Sequence, residues 1–317
     1  MTISRILSTA PMLDYSDTHC RYFWRLFSAH AVLYTEMIHA NAVLYGKRER
    51  CLAFDTLEHP VALQLGGNDP DSLAESARYA AKYGYDEVNL NIGCPSDRVQ
   101  SGQFGACLMR KPKLVAACVA AIKEAVNLPV TIKTRIGVDH DDSYAFFCEF
   151  VEQVSAAGTS IFIIHARKAW LKGLSPKQNR DIPPLIYERA YQLKEDFPHL
   201  TVIINGGIKT IADAKNHLEH VDGVMIGREI CANPMLLGEL EQALFQSHLP
   251  SRESILHQYL SYVEKQLVLG VPYRSLLKPL MGLCFAQSNA KHWRQTLAGA
   301  TLALTPDKIW DVFKNSA

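Results

Sequence analysis

Short runs of apolar and β-branched residues alternate with longer amphipathic stretches along the first 245 residues of the chain. The runs Ile161–Ile164 and Val202–Ile204 are continuously apolar, which is typical of parallel strands buried on both faces. Eight strands of this kind are predicted, and they end at Ala10-Pro11-Met12, Tyr34-Thr35-Glu36, Leu63-Gln64-Leu65, Asn89-Leu90-Asn91, Ile132-Lys133-Thr134, Ile164-His165-Ala166, Ile203-Ile204-Asn205 and Met225-Ile226-Gly227.

The amphipathic stretches between the strands predict helices, such as Pro70–Tyr83 and Lys113–Val126. Asp69-Pro70 is a suitable start for the first, since proline fits the first turn of a helix. Eight successive strand–helix units predict an α/β protein with a closed (β/α)8 TIM barrel. The alternative is an open doubly wound sheet, but it should carry G-x-G-x-x-G after an early strand, and the sequence lacks that motif.

The pattern changes after about residue 245, where Ser247–Pro250 is typical of a linker. Beyond it only helical periodicity is found. The chain is therefore expected to have two domains, a catalytic barrel over residues 1–245 and a small helical bundle over residues 246–317. The helices predicted in the second domain are Glu253–Leu269, Ser275–Phe285, Lys291–Leu302 and Pro306–Phe313.

Composition narrows the function only slightly. The formal net charge of the 317 residues is +1, so the total charge gives no indication of a nucleic-acid partner. The eight cysteines form no C-x-x-C pair, which favours neither a zinc site nor a redox dithiol. No signal peptide and no apolar run near the roughly 20 residues of a membrane span is visible. We expect a cytoplasmic protein with reduced thiols, no metal, no membrane and no obligate protein partner.

Polar residues cluster where the predicted strands end, which is the face of such a barrel that carries chemistry. Asn205–Ile208, with its Gly-Gly pair, follows the seventh strand, and Gly227-Arg228 follows the eighth. Glycines let backbone N–H groups approach an anion closely, and an arginine can add a charge-assisted hydrogen bond. A lone Gly-Gly pair is more simply a tight turn, but the two motifs together predict a site for a phosphorylated ligand.

Lys133 lies inside an apolar strand and needs a partner, since burying an unpaired ammonium is costly. It could form a Schiff base in an aldolase, stabilise the reduced ring of a flavin, or belong to a buried ion pair. His165 at the next strand end could bind the same ring or phosphate, or be a core histidine. The amide of Gln64 suits the polar edge of a flavin.

Cys94 follows Asn91 in the loop after the fourth predicted strand, between a glycine and a proline. In this rigid position it could act as a nucleophile or a proton donor. The alternative is a buried cysteine that behaves as a small hydrophobe. No histidine lies nearby in sequence to activate a nucleophile, which favours the proton donor.

The sequence closely resembles the tRNA-dihydrouridine synthases over essentially the whole chain. The resemblance rests on motifs in the family's order, of which the Asn-x-Gly-Cys-Pro-Ser motif is highly specific. Arg167–Arg180 resembles the A subfamily, which acts on the D-loop of tRNA. The other motifs are Ala10–Asp14, Tyr34–Met37, Gln64–Gly67, Asn89–Ser96, Lys133–Arg135, His165–Arg167 and Asn205–Ile208.

The resemblance implies an FMN-binding barrel followed by a helical tRNA-binding domain. It implies that NADPH reduces the flavin, that hydride passes to C6 of uracil and that Cys94 protonates C5. Asn91 would contact the flipped-out uridine, whose extraction from the RNA stack costs a few kcal/mol. The residues that would hold FMN are Pro11, Met12, Leu13, Gln64, Lys133, His165, Asn205, Gly206, Gly207, Gly227 and Arg228.

Two groups of basic residues are candidates for binding tRNA phosphates. One lies in the loop after the sixth predicted strand and includes Lys177 and Arg180. The other opens a C-terminal helix, where Lys291 and Arg294 are three apart and share a face. The family resemblance implies the same four residues, whereas for any single one a solvated surface charge is an equally good interpretation.

Three other functions compete with this one. The first is an FMN barrel enzyme that reduces a free pyrimidine, for which the helical domain and the basic loop have no use. The second is a phosphate-binding aldolase with Lys133 as the Schiff-base lysine. The third is a tRNA-folding helper in which Cys94 is incidental.

Overall fold

The computed structural model describes residues 3–288, 290–299 and 305–314. Within them, eight strands lie where the sequence predicts strands, and one short strand was not predicted. The strands are β1 (Leu7–Thr9), β2 (Leu33–Tyr34), β3 (Ile38–His39), β4 (Val61–Gly66), β5 (Glu87–Ile92), β6 (Val130–Arg135), β7 (Ile161–His165), β8 (Thr201–Asn205) and β9 (Gly223–Ile226).

The strands form a ring in the order β1-β9-β8-β7-β6-β5-β4-β2, and the ladders between neighbours are parallel. Val32, just before β2, closes the ring against β1. Its N–H donates to Leu7 O and its carbonyl accepts from Thr9 N, each at 3.0 Å. The unpredicted strand β3 adds a second short ladder to the end of β4. The predicted (β/α)8 barrel is therefore confirmed.

Helices cover the outside of the barrel. The predicted helix Pro70–Tyr83 is found with the same bounds: the Asp69 side chain caps its start, and Gly84 ends it with a φ of +90°. The helices of this part are α1 (Thr18–Arg25), α2 (Ala40–Tyr45), α3 (Arg48–Cys51), α4 (Pro70–Tyr83), α5 (Asp97–Ser101), α6 (Pro112–Ala125), α7 (Tyr144–Ser155), α8 (Glu188–Asp196), α9 (Ile211–Leu218), α10 (Arg228–Ala232) and α11 (Met235–Phe245), with 3₁₀ helices at Thr56–Glu58, Gly105–Arg110 and Gln178–Arg180.

The C-terminal part is helical, as predicted, but one helix differs. The prediction of a single helix over Ser275–Phe285 is wrong, because Pro279 lacks an N–H and its ring clashes with the preceding turn. The chain instead forms a short helix and a 3₁₀ turn, Lys278–Gly282. The predicted helix Lys291–Leu302 corresponds to a shorter one, and residues 300–304 lie outside the described part. The helices are α12 (Arg252–Val268), α13 (Tyr273–Leu277), α14 (Ala290–Ala298) and α15 (Pro306–Lys314).

An apolar interface docks the C-terminal helices against the barrel. The Tyr262 ring of α12 stacks on Tyr22 of α1 with centroids 3.8 Å apart, and Tyr259 meets Phe23 edge to face at 4.9 Å. Gly282 approaches α10 so closely that an added Cβ would lie 2.6 Å from the carbonyl oxygen of Cys231. The helices are thus held beside the barrel.

None of the described helices combines the length and apolarity of a membrane span.

The inside of the barrel has an apolar and a polar half. β1, β2, β7, β8 and β9 contribute mainly apolar side chains such as Ile163, Ile203 and Met225. By contrast, β4, β5 and β6 contribute buried polar side chains, which are stable there only when hydrogen-bonded. These are Gln64, Glu87, Asn89 and Thr131, each at most 1% exposed.

Replacement of Trp293 by alanine should destabilise the C-terminal helices. The indole of Trp293 is fully buried and donates to Leu280 O at 2.8 Å. The loss of a buried aromatic side chain costs about 3–5 kcal/mol of unfolding free energy. Equilibrium chemical denaturation would measure the change. Arg294→Ala, one residue on and exposed, is the control and should change stability by less than about 0.5 kcal/mol; equal stability of the two variants would contradict the packing argument.

Candidate active site

The carboxyl ends of the strands bring the predicted site residues to one mouth of the barrel. Lys133 on β6 donates to Asn205 Oδ1 on β8 at 2.9 Å, passing over the intervening strand β7. Asn91 on β5 donates to Gln64 Oε1 on β4 at 2.8 Å. Residues that are up to 72 positions apart in sequence thus form one continuous polar surface.

Lys133 is a buried amine without an acidic partner. Among the described residues no carboxylate pairs with it, so its interpretation as half of a buried ion pair is wrong. Burial and the nearby Arg135 cation lower the pKa of Lys133 to about 7, while Cys94 acts to raise it. Near neutral pH the protonation state of Lys133 therefore changes with any charge that is placed in the mouth of the barrel.

His165, at the end of β7, has an unused nitrogen. Its Nδ1 is buried and has no hydrogen-bond partner among the described residues. Burial lowers the pKa of His165 well below its ordinary value, and the surrounding cations Arg135, Lys133, Arg167 and Arg228 lower it further. The imidazole is therefore neutral, and a ligand in the mouth could satisfy its free nitrogen.

The glycines after β8 form a tight backbone surface. Gly206 and Gly207 have φ angles of +114° and +77°, a region that L side chains rarely adopt. The Tyr187 hydroxyl donates to Gly206 O at 3.0 Å, and a Cβ on Gly207 would lie 2.4 Å from that hydroxyl. Both glycines are thus required by the conformation of this loop.

The end of β9 lies beside the loop that follows β1. A Cβ on Gly227 would lie 3.5 Å from the Met12 sulfur. Leu13, the next residue, is 72% exposed and lies at the outer edge of the mouth. Of these two side chains, Met12 is therefore the one next to the predicted phosphate loops. Pro11 precedes it in the loop that follows β1.

Arg228 also lies at this end of the barrel, but its guanidinium is already engaged. It donates to Asp181 Oδ1 at 2.8 Å and to Arg180 O at 3.3 Å. The ion pair is about half exposed, so it contributes little to the stability of the fold. Another anion could therefore take the place of Asp181 beside Arg228. Arg228 therefore lies between the predicted phosphate site and the predicted tRNA-binding loop.

Cys94 is held in place through its backbone. Asn91 Oδ1 accepts the N–H groups of Gly93 and Cys94 at 3.1 and 2.9 Å, and Cys94 O accepts Ala106 N at 2.9 Å. Gly105, with a φ of +72°, allows this approach, because a Cβ there would lie 2.5 Å from Cys94 O. Cys94 is partly buried, and its Sγ lies 3.5 Å from Ser96 Oγ.

Arg135 was not singled out from the sequence, yet it joins two loops of the site. It is 5% exposed and donates to Gly93 O at 2.9 Å and to the carbonyls of Lys168 and Asn179, each at 3.0 Å. Burial lowers its pKa to about 10. The sequence did contain a pointer to it, because Arg135 is two residues after Lys133 and so faces the same side of β6.

The predicted tRNA-binding residues are exposed at two places. Lys177 and Arg180 lie in the loop after β7, and Arg180 O accepts a hydrogen bond from Arg228 at 3.3 Å. Lys291 and Arg294 flank the buried Trp293 on α14. The structure thus brings the first pair to the mouth of the barrel and leaves the second on the surface of the helical part.

A further cation at the rim was missed by the sequence analysis. The Lys278 ammonium lies 4.8 Å from the ring centroid of Tyr15, whose side chain is 47% exposed in the loop after β1. No local motif marks Lys278, because it reaches the rim only through the docking of the C-terminal part on α1.

A family model described as dihydrouridine synthase matches residues 8–313. The chain belongs to the dihydrouridine synthase family. The family consists of flavin-dependent enzymes that reduce uridine in tRNA, which confirms the resemblance seen in the motifs.

This member of the family has close relatives among bacterial proteins. It is 56% identical over 301 residues to the tRNA-dihydrouridine(20/20a) synthase of Vibrio vulnificus (strain CMCP6), covering 94% of this chain and 92% of the relative. It is 52% identical over 310 residues to the protein of the same name from Xanthomonas axonopodis pv. citri (strain 306), covering 98% and 92%.

Solved structures of two reductases share the fold. Morphinone reductase has a TM-score of 0.53 at 14% identity and covers 78% of this chain and 87% of its own. The 2-naphthoyl-CoA reductase complex with 2-naphthoyl-CoA has a TM-score of 0.57 at 10% identity, with coverages of 78% and 51%. At these identities the likeness concerns the barrel fold alone.

Gly207→Ala should weaken FMN binding, because the new methyl group displaces Tyr187 and with it the carbonyl of Gly206. We expect the Kd for FMN to rise on the order of tenfold, about 1.4 kcal/mol. Fluorescence titration of the flavin-stripped protein would measure it.

Gly270→Ala is the matched control, since Gly270 has a φ of +78° and no atom within 4 Å of an added Cβ. It introduces the same backbone strain away from the site. If both variants bind FMN equally, the role of Gly207 in the phosphate loop is refuted.

Proposed function

We propose that this protein reduces the C5–C6 bond of uridines in the D-loop of tRNA, at the positions 20 and 20a that appear in the names of its relatives. The observation that carries the proposal is the position of Cys94. Its partly exposed thiol is fixed at the mouth of a barrel whose other polar groups suit a flavin. We infer from the proposed tRNA substrate that the protein acts in the cytoplasm.

The residues present fit FMN in the mouth of the barrel. His165 offers an unused buried nitrogen, and Lys133 is a buried amine without a counter-charge. The glycine loop after β8 has positive φ angles that glycine adopts readily, which suits a loop whose backbone faces an anion. When bound, FMN supplies the hydride that adds to C6 of uracil, and NADPH restores its reduced form.

We assign the FMN contacts as the sequence predicted them. Lys133, oriented by Asn205, supplies positive charge beside the ring, and His165 and Gln64 donate or accept hydrogen bonds at its polar edge. Anions favour glycine-rich backbone and arginine side chains. The phosphate is therefore assigned to Asn205, Gly206, Gly207, Gly227 and Arg228, and the apolar lining to Pro11, Met12 and Leu13.

Cys94 is assigned the proton that C5 of uracil receives. A general acid must be fixed within hydrogen-bond reach of the atom that it protonates, and Asn91 fixes the backbone of Cys94 through two N–H groups. Asn91 retains one amide hydrogen beyond its bond to Gln64, which can contact the flipped-out base. Of the competing functions, neither the free-pyrimidine reductase nor the aldolase is favoured by the family that the chain belongs to.

Cys94→Ala should retain FMN but reduce tRNA at least about 10²-fold more slowly, since this is the usual contribution of a general acid. The measurement is the dihydrouridine content of unmodified tRNA after incubation with NADPH, mapped by position. Cys107→Ala is the control: Cys107 is a second thiol in the same loop whose Sγ contacts only Phe104 O among the described groups.

Product at D-loop positions from the wild type supports both reaction and substrate. An unimpaired Cys94→Ala enzyme would refute the acid assignment. No product from a yellow protein that oxidises NADPH would refute tRNA uridine as the substrate.

Alanine at Lys177, Arg180, Lys291 and Arg294 together should weaken tRNA binding and flatten its salt dependence. Removing one cation from a phosphate reduces the steepness of log K against log salt by about one. Filter binding over a range of salt would measure the slope. Four exposed lysines on barrel helices provide a control with the same change of charge, and if they have the same effect the assignment fails: Lys82, Lys113, Lys123 and Lys215.

A further inference from the structure

A chain of hydrogen bonds crosses the polar half of the barrel interior from one end to the other. It starts at the carboxylate of Glu87, which accepts from the hydroxyls of Tyr34 at 2.7 Å and Thr131 at 2.5 Å and pairs with Arg5. Asn89 Nδ2 donates to Thr131 Oγ1 at 2.8 Å. The fully buried Glu87 carboxylate is thus satisfied on both oxygens.

The chain continues upward through two more amides. Gln64 Nε2 donates to Asn89 Oδ1 at 2.7 Å, and Asn91 Nδ2 donates to Gln64 Oε1 at 2.8 Å. The last oxygen, Asn91 Oδ1, accepts the N–H groups of Gly93 and Cys94. The chain therefore ends at the backbone of the proposed acid.

The charge of Glu87 fixes the direction of every bond in this chain. A carboxylate paired with an arginine is ionised and can only accept, so the Thr131 hydroxyl must donate to it. The oxygen of Thr131 is then the acceptor for Asn89, whose amide must turn its nitrogen toward Thr131. Hence every amide nitrogen in the chain points toward Glu87 and every amide oxygen toward the mouth.

The orientation of the Asn91 amide is the part of this arrangement that affects the candidate active site. If its amide were reversed, an NH₂ group would face the N–H groups of Gly93 and Cys94, and the loop would lose both hydrogen bonds. The N–H groups of Gly93 and Cys94 can only donate, so they favour this orientation from one side of Asn91. The remote Glu87 carboxylate favours the same orientation from the other side, through the Thr131 hydroxyl and the amides of Asn89 and Gln64.

We propose that Glu87 and Thr131 are positioning residues for Cys94: they support the orientation of the Asn91 amide from within the barrel and, through the hydrogen bond from Cys94 N–H to that amide, hold the thiol where uridine is protonated. The inference rests on the proposed function for the role of Cys94. A purely structural role explains these hydrogen bonds less well, because apolar side chains fill the opposite half of the barrel interior without them. A buried polar chain is costly unless it is completely satisfied.

Thr131→Val tests the proposal, because it removes one hydroxyl while leaving Arg5, Tyr34 and Glu87 paired. Asn89 then loses the acceptor that fixes its amide. With FMN pre-reduced, single-turnover reduction of tRNA should slow about tenfold, the size expected for one broken buried hydrogen bond in the chain. Because Gln64 lies in this chain of hydrogen bonds and is assigned to the polar edge of FMN, the assay is run with saturating FMN, and the rate of flavin reduction by NADPH is measured as the reference. The tRNA step should slow more than this reference rate, and Thr131→Ser should restore it.

The second measurement needs no tRNA. Iodoacetamide labelling of Cys94 in the FMN-loaded protein, followed by mass spectrometry of its peptide, reports on the loop directly. Thr131→Val should accelerate labelling and Thr131→Ser should not. Thr159→Val is the matched control: this buried hydroxyl donates to Val130 O at 2.6 Å, outside the chain, so the variant loses an equivalent bond.

If Thr131→Val and Thr159→Val give the same labelling rate and the same single-turnover rate, the proposal is overturned. It is also overturned if Thr131→Ser behaves like Thr131→Val. A wild-type protein that forms no dihydrouridine would refute the proposed function, whereas the labelling comparison would still decide whether the chain positions Cys94.

Discussion

Closure of the parallel sheet through Val32 is the constraint on which the site depends. Two backbone hydrogen bonds join this residue to β1, so all eight strand ends meet around one mouth. The ladder between β1 and β9 places Met12, which follows β1, beside Gly227, which follows β9. Closure also lets Lys133 reach Asn205 across a strand. In an open sheet the first and last strands would be edges far apart.

The charge at the mouth is unbalanced, although the whole chain is nearly neutral. Lys133 and Arg135 are buried there, and both have lowered pKa values because burial penalises their charge. The carboxylate within the barrel, Glu87, is paired with Arg5 at the other end of the polar chain. An anionic ligand beside Lys133 and Arg135 would offset the free energy that burial of these two cations costs.

One buried arginine joins two loops at the mouth of the barrel. Arg135 donates to Gly93 in the Cys94 loop and to Lys168 and Asn179 in the loop after β7. Asn179 in turn holds this second loop through the backbone of Trp170. The second loop carries Lys177 and Arg180, so Arg135 connects the loop of the proposed acid to the loop of the proposed tRNA-binding residues.

The sequence alone determined the eight barrel strands, the polar residues at their ends and the family, because periodicity and motif order are local properties. The tertiary structure decided which of those residues are neighbours. It paired Lys133 with Asn205 rather than with an acid, engaged Arg228 with Asp181, and divided the predicted Ser275–Phe285 helix. A hydrogen bond depends on which atoms closure brings within about 3 Å, and the partners here are tens of residues apart. No local pattern encodes that distance.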